Sequence, residues 1–402
     1  MEIAVLGYGT VGSGVVEVLE TNQKSIAKRA GEPIHVKYVL DLRDFFGQPI
    51  QERIVHDYET ILKDDSVKIV VEVMGGTNPA YTFVKQALEA GKSVATSNKE
   101  LVAKYGAKLL KTAEAHNANF MFEASVGGGI PIIRPLMSSL TADEITEITG
   151  ILNGTTNYML TKMDEEGADY AKVLKDAQDK GYAERNPEAD VEGYDACRKI
   201  AILTSLACGQ QIDFEDIYTE GITKITDIDF KYARTLGTSI KLLASSKLDG
   251  DDIYAMVSPV MIGKNHPLYS VRDVFNAVFV NGNMLGDAMF YGRGAGKLPT
   301  ASAVVADVVE EAKHIGENIK VEWQQEKREL SDMKNASHRF FVRVGDNVSE
   351  ADVKKAFGDV DFVKAEGVDG EYGFVTEVMA EKDFDAKAGQ LTSVIAVIRG
   401  NF

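Results

Sequence analysis

Basic charge is scarce in this chain of 402 residues, where 44 Lys and Arg stand against 61 Asp and Glu for a formal net charge of −17. That balance argues against nucleic-acid or anionic-membrane partners, which recruit basic patches. Cysteine is nearly absent, with only Cys197 and Cys208 present. They sit on one apolar stretch, form no disulfide framework and have no CxxC metal spacing, so reduced core thiols are expected. The histidines at 35, 56, 116, 266, 314 and 338 show no paired spacing and no HExxH. Zinc chemistry and a Ser–His hydrolase therefore have little support. Ser125 also lacks a GxSxG elbow. No uninterrupted apolar run reaches membrane-spanning length. Glu2–Leu6 opens the chain as a strand, with no basic n-region or apolar h-region before it. A cytoplasmic protein is the expectation.

What is present belongs to a soluble globular enzyme, with 45% hydrophobic and 26% charged residues. The length calls for two or three domains. Glu2–Leu6 leads straight into Gly7-Tyr-Gly9-Thr10-Val11-Gly12, and Val11, Val15, Val18 and Leu19 follow with helical spacing. In this strand–turn–helix context, Gly7 permits the tight turn and Gly9 lets the backbone approach a pyrophosphate. Gly12 lets helix pack on strand. The helix N-terminus, at Thr10 and Val11, offers amide donors to the phosphates.

Further βα units follow: strands at His35–Leu40 and Val67–Val73, a helix around Ala80–Ala90, a strand Lys92–Thr96, a helix from Glu100 to about His116 and a strand Asn119–Glu123. This alternation implies a parallel, doubly wound sheet with ligand at the carboxyl ends of its strands. Gly75, Gly76, Thr77, Ser97, Asn98 and Lys99 lie at such ends. Asp41 ends the second strand, where an acid binds the ribose hydroxyls of NAD, whereas Arg43 suits the 2′-phosphate of NADP. The two signals oppose each other, and the choice between NAD and NADP stays open.

A second cluster is the segment 181–199, which packs Glu184, Asp190, Asp195 and Lys199 into a loop running into a helix. From Ile200 to Cys208 that helix carries no charge, so it is buried and its charged end faces the edge of a core. An i,i+4 Asp195–Lys199 pair is the ordinary explanation, worth about 0.3–0.5 kcal/mol if exposed. An active site is the other.

Taken together, the blocks Gly7–Gly14 (GYGTVGSG), Ser97–Lys99 (SNK), Glu123–Pro131 (EASVGGGIP), Gly150–Tyr158 (GILNGTTNY), Gly181–Lys199 and Gly292–Ala301 (GRGAGKLPTA) resemble the homoserine dehydrogenases, in that family's order. The resemblance spans the chain to about residue 315. It implies NAD(P)-dependent interconversion of L-aspartate 4-semialdehyde and L-homoserine, on the route to threonine and methionine. Lys199 then matches a proton-donating lysine and Lys99 a second lysine near nicotinamide and substrate. Glu184, Asp190 and Asp195 match substrate-binding carboxylates. Gly181 and Gly296 match cofactor contacts. Glu123, with the carbonyls of Val126, Gly128 and Ile130, matches a structural sodium site.

The chemistry asks for such residues. Aldehyde reduction delivers hydride to carbon and a proton to oxygen, and an ammonium both stabilises the developing alkoxide and protonates it. Lys adapts its proton affinity on burial, which Arg does not. Carboxylates suit the substrate's α-ammonium.

The resulting expectation is an α/β chain with a Rossmann-type NAD(P)-binding domain over 1–130 plus about 297–316. An α+β catalytic and dimerisation domain follows over 131–296, then a linker over 317–336 and a small ACT-like α/β module over 337–402. Within the middle domain the pattern predicts a helix from Pro131 to Ser139 and strands at Glu144–Leu152, Tyr254–Ile262, Ala277–Val280 and Met289–Tyr291. Two helices precede the 181–199 loop, and a long one runs from about Thr300 to His314. In the last module the pattern predicts strands Arg339–Val344, Phe374–Ala380 and Ser393–Arg399, with helices Ser349–Phe357 and Asp383–Leu391. Its Gly345–Glu350 loop departs from the usual Asp-x-Pro-Gly of ACT modules, so threonine feedback is a weaker implication. A homodimer or higher homo-oligomer is implied by the family.

Overall fold

Short Val- and Ile-rich runs buried on both faces make parallel strands. The computed structural model, which describes residues 1–402, places them in a 6-stranded parallel sheet. Its order is Ile54–Val55, His35–Leu40, Glu2–Leu6, Val67–Glu72, Ser93–Thr96 and Phe120–Met121. Glu2–Leu6 lies where the order reverses, the switch point at which such sheets hold ligands. The helix Lys297–Lys313 returns to cover this sheet, and Gly14 makes the approach possible. A Cβ on Gly14 would stand 2.9 Å from Lys297 O and 3.0 Å from Ala301 Cβ.

The chain divides into two units. The first joins Met1–Glu144, Ala201–Phe214 and Phe290–Arg328, and the second joins Ile145–Ile200, Glu215–Met289 and Glu329–Phe402. The first break therefore falls after Glu144 instead of at residue 130, and three differences from the pattern explain it. The strand expected over Asn119–Glu123 is only Phe120–Met121, followed by a 3-10 turn at Glu123–Ser125. Glu123 turns inward there to bond the 132–134 backbone. The helix expected over 131–139 is a single π-type turn, Pro135–Ser139. The expected linker contains the strand Gln324–Lys327, paired with Gln210–Gln211. It also contains Trp323, which is buried and donates from Nε1 to Gln211 Oε1 at 3.1 Å.

Most of an 11-stranded sheet lies in the second unit. Its main path runs Gly286–Arg293, Phe275–Gly282, Ile145–Ile151, Thr238–Asp249, Asp252–Gly263, Val394–Asn401, Ser337–Gly345, Glu371–Val375 and Asp361–Val363. The hairpin Thr238–Asp249 with Asp252–Gly263 pairs antiparallel over its whole length. Its first strand escaped the pattern because TSIKLLAS is buried on both faces and does not alternate.

Residues 337–401 form a β-α-β-β-α-β succession with antiparallel pairing and the last strand beside the first, plus a two-residue strand Met379–Ala380 before the second helix that pairs with Ser337 and His338. The short strand Asp361–Val363 completes it. Phe340, Val342, Val344, Val353, Phe357, Phe374 and Phe384 make its core. It is not a separate body. Val394–Asn401 pairs in parallel with Asp252–Gly263, so both belong to one sheet and one unit.

Candidate active site

In the first unit the glycine loop has the form its sequence asks for. Gly7 has φ +97, and a Cβ on Gly12 would stand 1.9 Å from Gly7 O, so no side chain fits there. Gly9 is the N-cap of the helix Thr10–Thr21, and a Cβ on it would meet open space. The helix thus presents uncapped amides at Thr10 and Val11, as an anion site requires.

Beside the loop, Asp41 and Arg43 do not act independently. Arg43 donates from Nε and Nη2 to the two Asp41 oxygens, each at 3.0 Å, and from Nη2 to Tyr8 O at 3.1 Å. Tyr8 N–H donates to Asp41 Oδ2 at 2.8 Å. The Arg43 guanidinium and these amides hold the Asp41 carboxyl well below the usual carboxylate range. The opposing NAD and NADP signals are thus one bonded pair.

Other strand ends carry the remaining first-unit candidates. Buried Glu72 accepts from Met74 N–H at 2.8 Å and from Thr96 Oγ1 at 2.7 Å, ordering the turn before Thr77. Burial raises its pKa. Asn98 caps the helix Lys99–Ala115 through Leu101 N–H and donates to Gly76 O at 2.6 Å. Ser97 and Lys99 are half-buried on either side of it. Gly296, with φ +118, is the N-cap of the helix Lys297–Lys313.

The Glu123 carboxylate accepts from Ile132, Ile133 and Arg134 N–H at 2.6, 2.8 and 2.8 Å. Its own N–H donates to buried Asp307, whose pKa is pushed up to about 7 by burial and by Glu123. Ile130 N–H donates to Gly127 O and Gly129 N–H to Arg293 O, folding the run 126–130 tightly.

In the second unit, the strand Ile145–Ile151 ends at Leu152, and Asn153 caps the helix Gly154–Glu166 through Thr156 N–H at 2.8 Å. The Asn153 amide also donates to Asp190 Oδ1 at 2.7 Å and to Asp195 Oδ2 at 3.0 Å. One turn along the helix Tyr194–Cys208, Lys199 donates to Asp195 Oδ2 at 2.8 Å and to Leu152 O at 2.7 Å. Asp195 and Lys199 are only 4% and 8% exposed, so this is not a surface i,i+4 pair. Breaking a buried pair is strongly destabilising because one charge is left behind. Glu184 lies apart, on an exposed turn that begins at Gly181 (φ +73). That turn is anchored by Thr155 Oγ1 donating to Tyr182 O at 2.7 Å and Gln178 Nε2 donating to Glu184 O at 3.1 Å. The structure therefore joins Asp190, Asp195 and Lys199, and it leaves Glu184 apart from them on the exposed turn. Cys197 is buried with its pKa raised by desolvation, and neither Cys197 nor Cys208 forms a disulfide.

Sequence reasoning missed Asn153, Leu152 O and Thr155. An Asn before a helical pattern announces a cap. Nothing local announces that the same amide links two carboxylates far along the chain.

The family model for the homoserine dehydrogenase domain matches residues 131–309, and that for the homoserine dehydrogenase NAD-binding domain matches residues 7–123. A homoserine dehydrogenase of Synechocystis is 47% identical over 318 residues, covering 77% of this chain and 72% of that protein. The chain belongs to the homoserine dehydrogenase family. A crystal structure of a homoserine dehydrogenase from Thiobacillus denitrificans matches it with a TM-score of 0.92 and 34% identity, over 100% of this chain and 98% of that one. A hyperthermophilic archaeal homoserine dehydrogenase mutant in complex with NADPH matches with a TM-score of 0.66 and 28% identity, over 77% of this chain and 98% of its own. The chain is thus an oxidoreductase acting on a CH–OH group, interconverting L-homoserine and L-aspartate 4-semialdehyde with a nicotinamide cofactor in amino-acid biosynthesis. No helix is long and apolar enough to cross a membrane.

Proposed function

We propose that Lys199 is the proton-transferring residue of this reaction and that Asp190, Asp195 and Glu184 receive the substrate's ammonium. The carrying observation is the buried Lys199–Asp195–Asn153–Asp190 chain of hydrogen bonds. Towards homoserine, the Lys199 ammonium donates a proton to the carbonyl oxygen as alkoxide character develops. In the reverse direction the neutral amine takes it back. Leu152 O and Asp195 fix the Nζ position, which removes the entropic cost of finding it at each turnover. The bound nicotinamide supplies or accepts the hydride. Lys99, opening its helix at a strand end, holds the substrate or its reacting oxygen.

The dinucleotide is read as resting on Gly7, Gly9, Thr10, Val11 and Gly12, with Thr77, Ser97, Lys99, Gly181 and Gly296 as further contacts. Both NAD and NADP remain suitable. The bonded Asp41–Arg43 pair offers an acceptor for ribose hydroxyls, or a guanidinium for a 2′-phosphate once Arg43 turns from Asp41. The archaeal relative's NADPH favours keeping the second possibility.

A sodium ion fits the run 126–130 as one held chiefly by the carbonyls of Val126, Gly128 and Ile130. The Glu123 oxygens already accept three backbone N–H groups, so its part is mainly charge. The β-α-β-β-α-β arrangement of residues 337–401 supports an ACT-like module, with threonine as its candidate effector. A homodimer and a cytoplasmic location complete the reading.

The test is NAD(P)H formation from L-homoserine with each cofactor in turn. Turnover with at least one is expected, and none with either would overturn the enzyme assignment. Titrating threonine into the same assay addresses the module. Unchanged kinetics and melting temperature would remove the effector.

A further inference from the structure

The two substrate-loop carboxylates at 190 and 195 flank a turn whose far side rests on another strand. Gly193 has φ +83, and a Cβ there would stand 3.1 Å from Val257 Cγ1 and 3.2 Å from Thr219 Cγ2. A Cβ on Gly221 would stand 2.2 Å from Val191 O and 2.5 Å from Glu192 Cα, and Ile222 N–H donates to Val191 O at 2.8 Å. The turn is thus moulded on residues 219–222, backbone against backbone.

That segment, which follows the short strand Tyr218–Thr219, is gripped from the end of the chain. Arg399 sits on the last strand, opposite Val260, and is 9% exposed. Its Nη1 donates to Glu220 Oε2 at 3.0 Å, and its guanidinium lies 4.9 Å from the centre of the Tyr218 ring. Its Nε and Nη2 donate to the two Glu381 oxygens at 2.5 and 3.0 Å. One guanidinium thus ties the helix Glu381–Ala388 to Tyr218 and Glu220, next to the residues that shape the substrate turn.

We infer that Arg399 is a positioning residue for the homoserine site, acting through Glu220 and the segment 219–222 on the turn that holds Asp190 and Asp195. The C-terminal β-α-β-β-α-β segment is then part of the substrate site's support, whatever effector it does or does not bind. A second buried arginine of the same segment gives the contrast. Arg343 pairs with Glu371 at 2.7 Å and with Asp229 at 2.7 Å, and neither partner lies in the 190–195 turn or in the segment 219–222 against it. It ties the segment down without addressing the site.

This inference rests on Asp190 and Asp195 being substrate ligands. In the full-length enzyme, Arg399→Gln is expected to raise KM for L-homoserine about tenfold while kcat and the dinucleotide KM change by less than about threefold. Glu220→Gln, at the more exposed end of the pair, should do the same and fold with least disturbance. The double variant should be no worse than the more affected single one, because both remove one link. Arg343→Gln should lower the melting temperature and leave KM for homoserine unchanged. If Arg399→Gln and Glu220→Gln lower only the melting temperature, as Arg343→Gln does, the inference fails. Asp195→Asn separates the two readings: unchanged homoserine KM and kcat there would remove the substrate-ligand assignment itself.

Discussion

The glycine loop at 7–12 and the acidic turn at 184–199, the two regions proposed to meet cofactor and substrate, are built in opposite ways. The first is backbone: amides at a helix start and glycines where a Cβ would strike Gly7 O. Its glycines and its helix start lie within a dozen residues. The second is side chains, and Asp190, Asp195 and Lys199 are not positioned by their sequence neighbours alone. Asn153 and Leu152 arrive from a strand end, and residues 219–222 from the end of the short strand Tyr218–Thr219. Arg399 joins from nearly the end of the chain. A pyrophosphate can be met by unspecific amide donors, whereas burying an ammonium between carboxylates demands partners from several directions.

Substitutions can break this contrast. The largest effect is expected at Lys199, where Ala should lower kcat about 10²–10⁴-fold, measured as NAD(P)H formation. Gly12→Ala should damage the other side, raising KM for the dinucleotide by as much as about 10²-fold through backbone displacement while homoserine KM stays put. An equal rise in both constants would show that the two regions are not separable. Asn153→Ala removes the amide between two carboxylates and a helix cap. An increase of about 10-fold in homoserine KM is expected, with a lowered melting temperature.

Arg43→Ala tests the cofactor pair. Its guanidinium is well exposed, so NADP should weaken only about two- to fivefold, with NAD unaffected or improved. Equal loss with both cofactors would count against its reading of the 2′-phosphate.

The smallest effect concerns stability. Glu311 is fully buried, and desolvation together with nearby Asp307 raises its pKa well above the carboxylate range. In the unfolded chain it ionises near about 4.3. Between that pH and its raised native pKa the folded state binds the extra proton, so stability falls as pH rises through this window. Glu311→Gln cannot ionise. Its melting temperature should exceed wild type by about 2–4 °C near neutral pH, with the gap closing towards pH 4. A constant gap across pH would contradict this origin.

How far the sequence carried follows from the same contrast. The loop 7–12, the alternation of strand and helix behind it and the i,i+4 Asp195–Lys199 pair are local patterns, and they stand in the structure where the pattern places them, save that the strand expected over Asn119–Glu123 shrinks to Phe120–Met121. The strand Thr238–Asp249 left no alternation because both faces are buried, and Asp361–Val363 is too short to mark itself. The segment 317–336 reads as polar, yet Trp323 packs so closely that a Cβ on Gly106 would stand 2.8 Å from its ring. Asn153 was legible as a cap and illegible as the link between Asp190 and Asp195. Glu123 carries a ligand-like carboxylate whose backbone partners only the fold reveals.

The most direct measurement takes one variant, Lys199→Ala, and reads two quantities side by side: NAD(P)H binding by fluorescence and turnover of L-homoserine. Dinucleotide binding within about twofold of wild type, with turnover reduced at least about a hundredfold, is the predicted result. Wild-type turnover in the variant would contradict the assignment of the proton to Lys199.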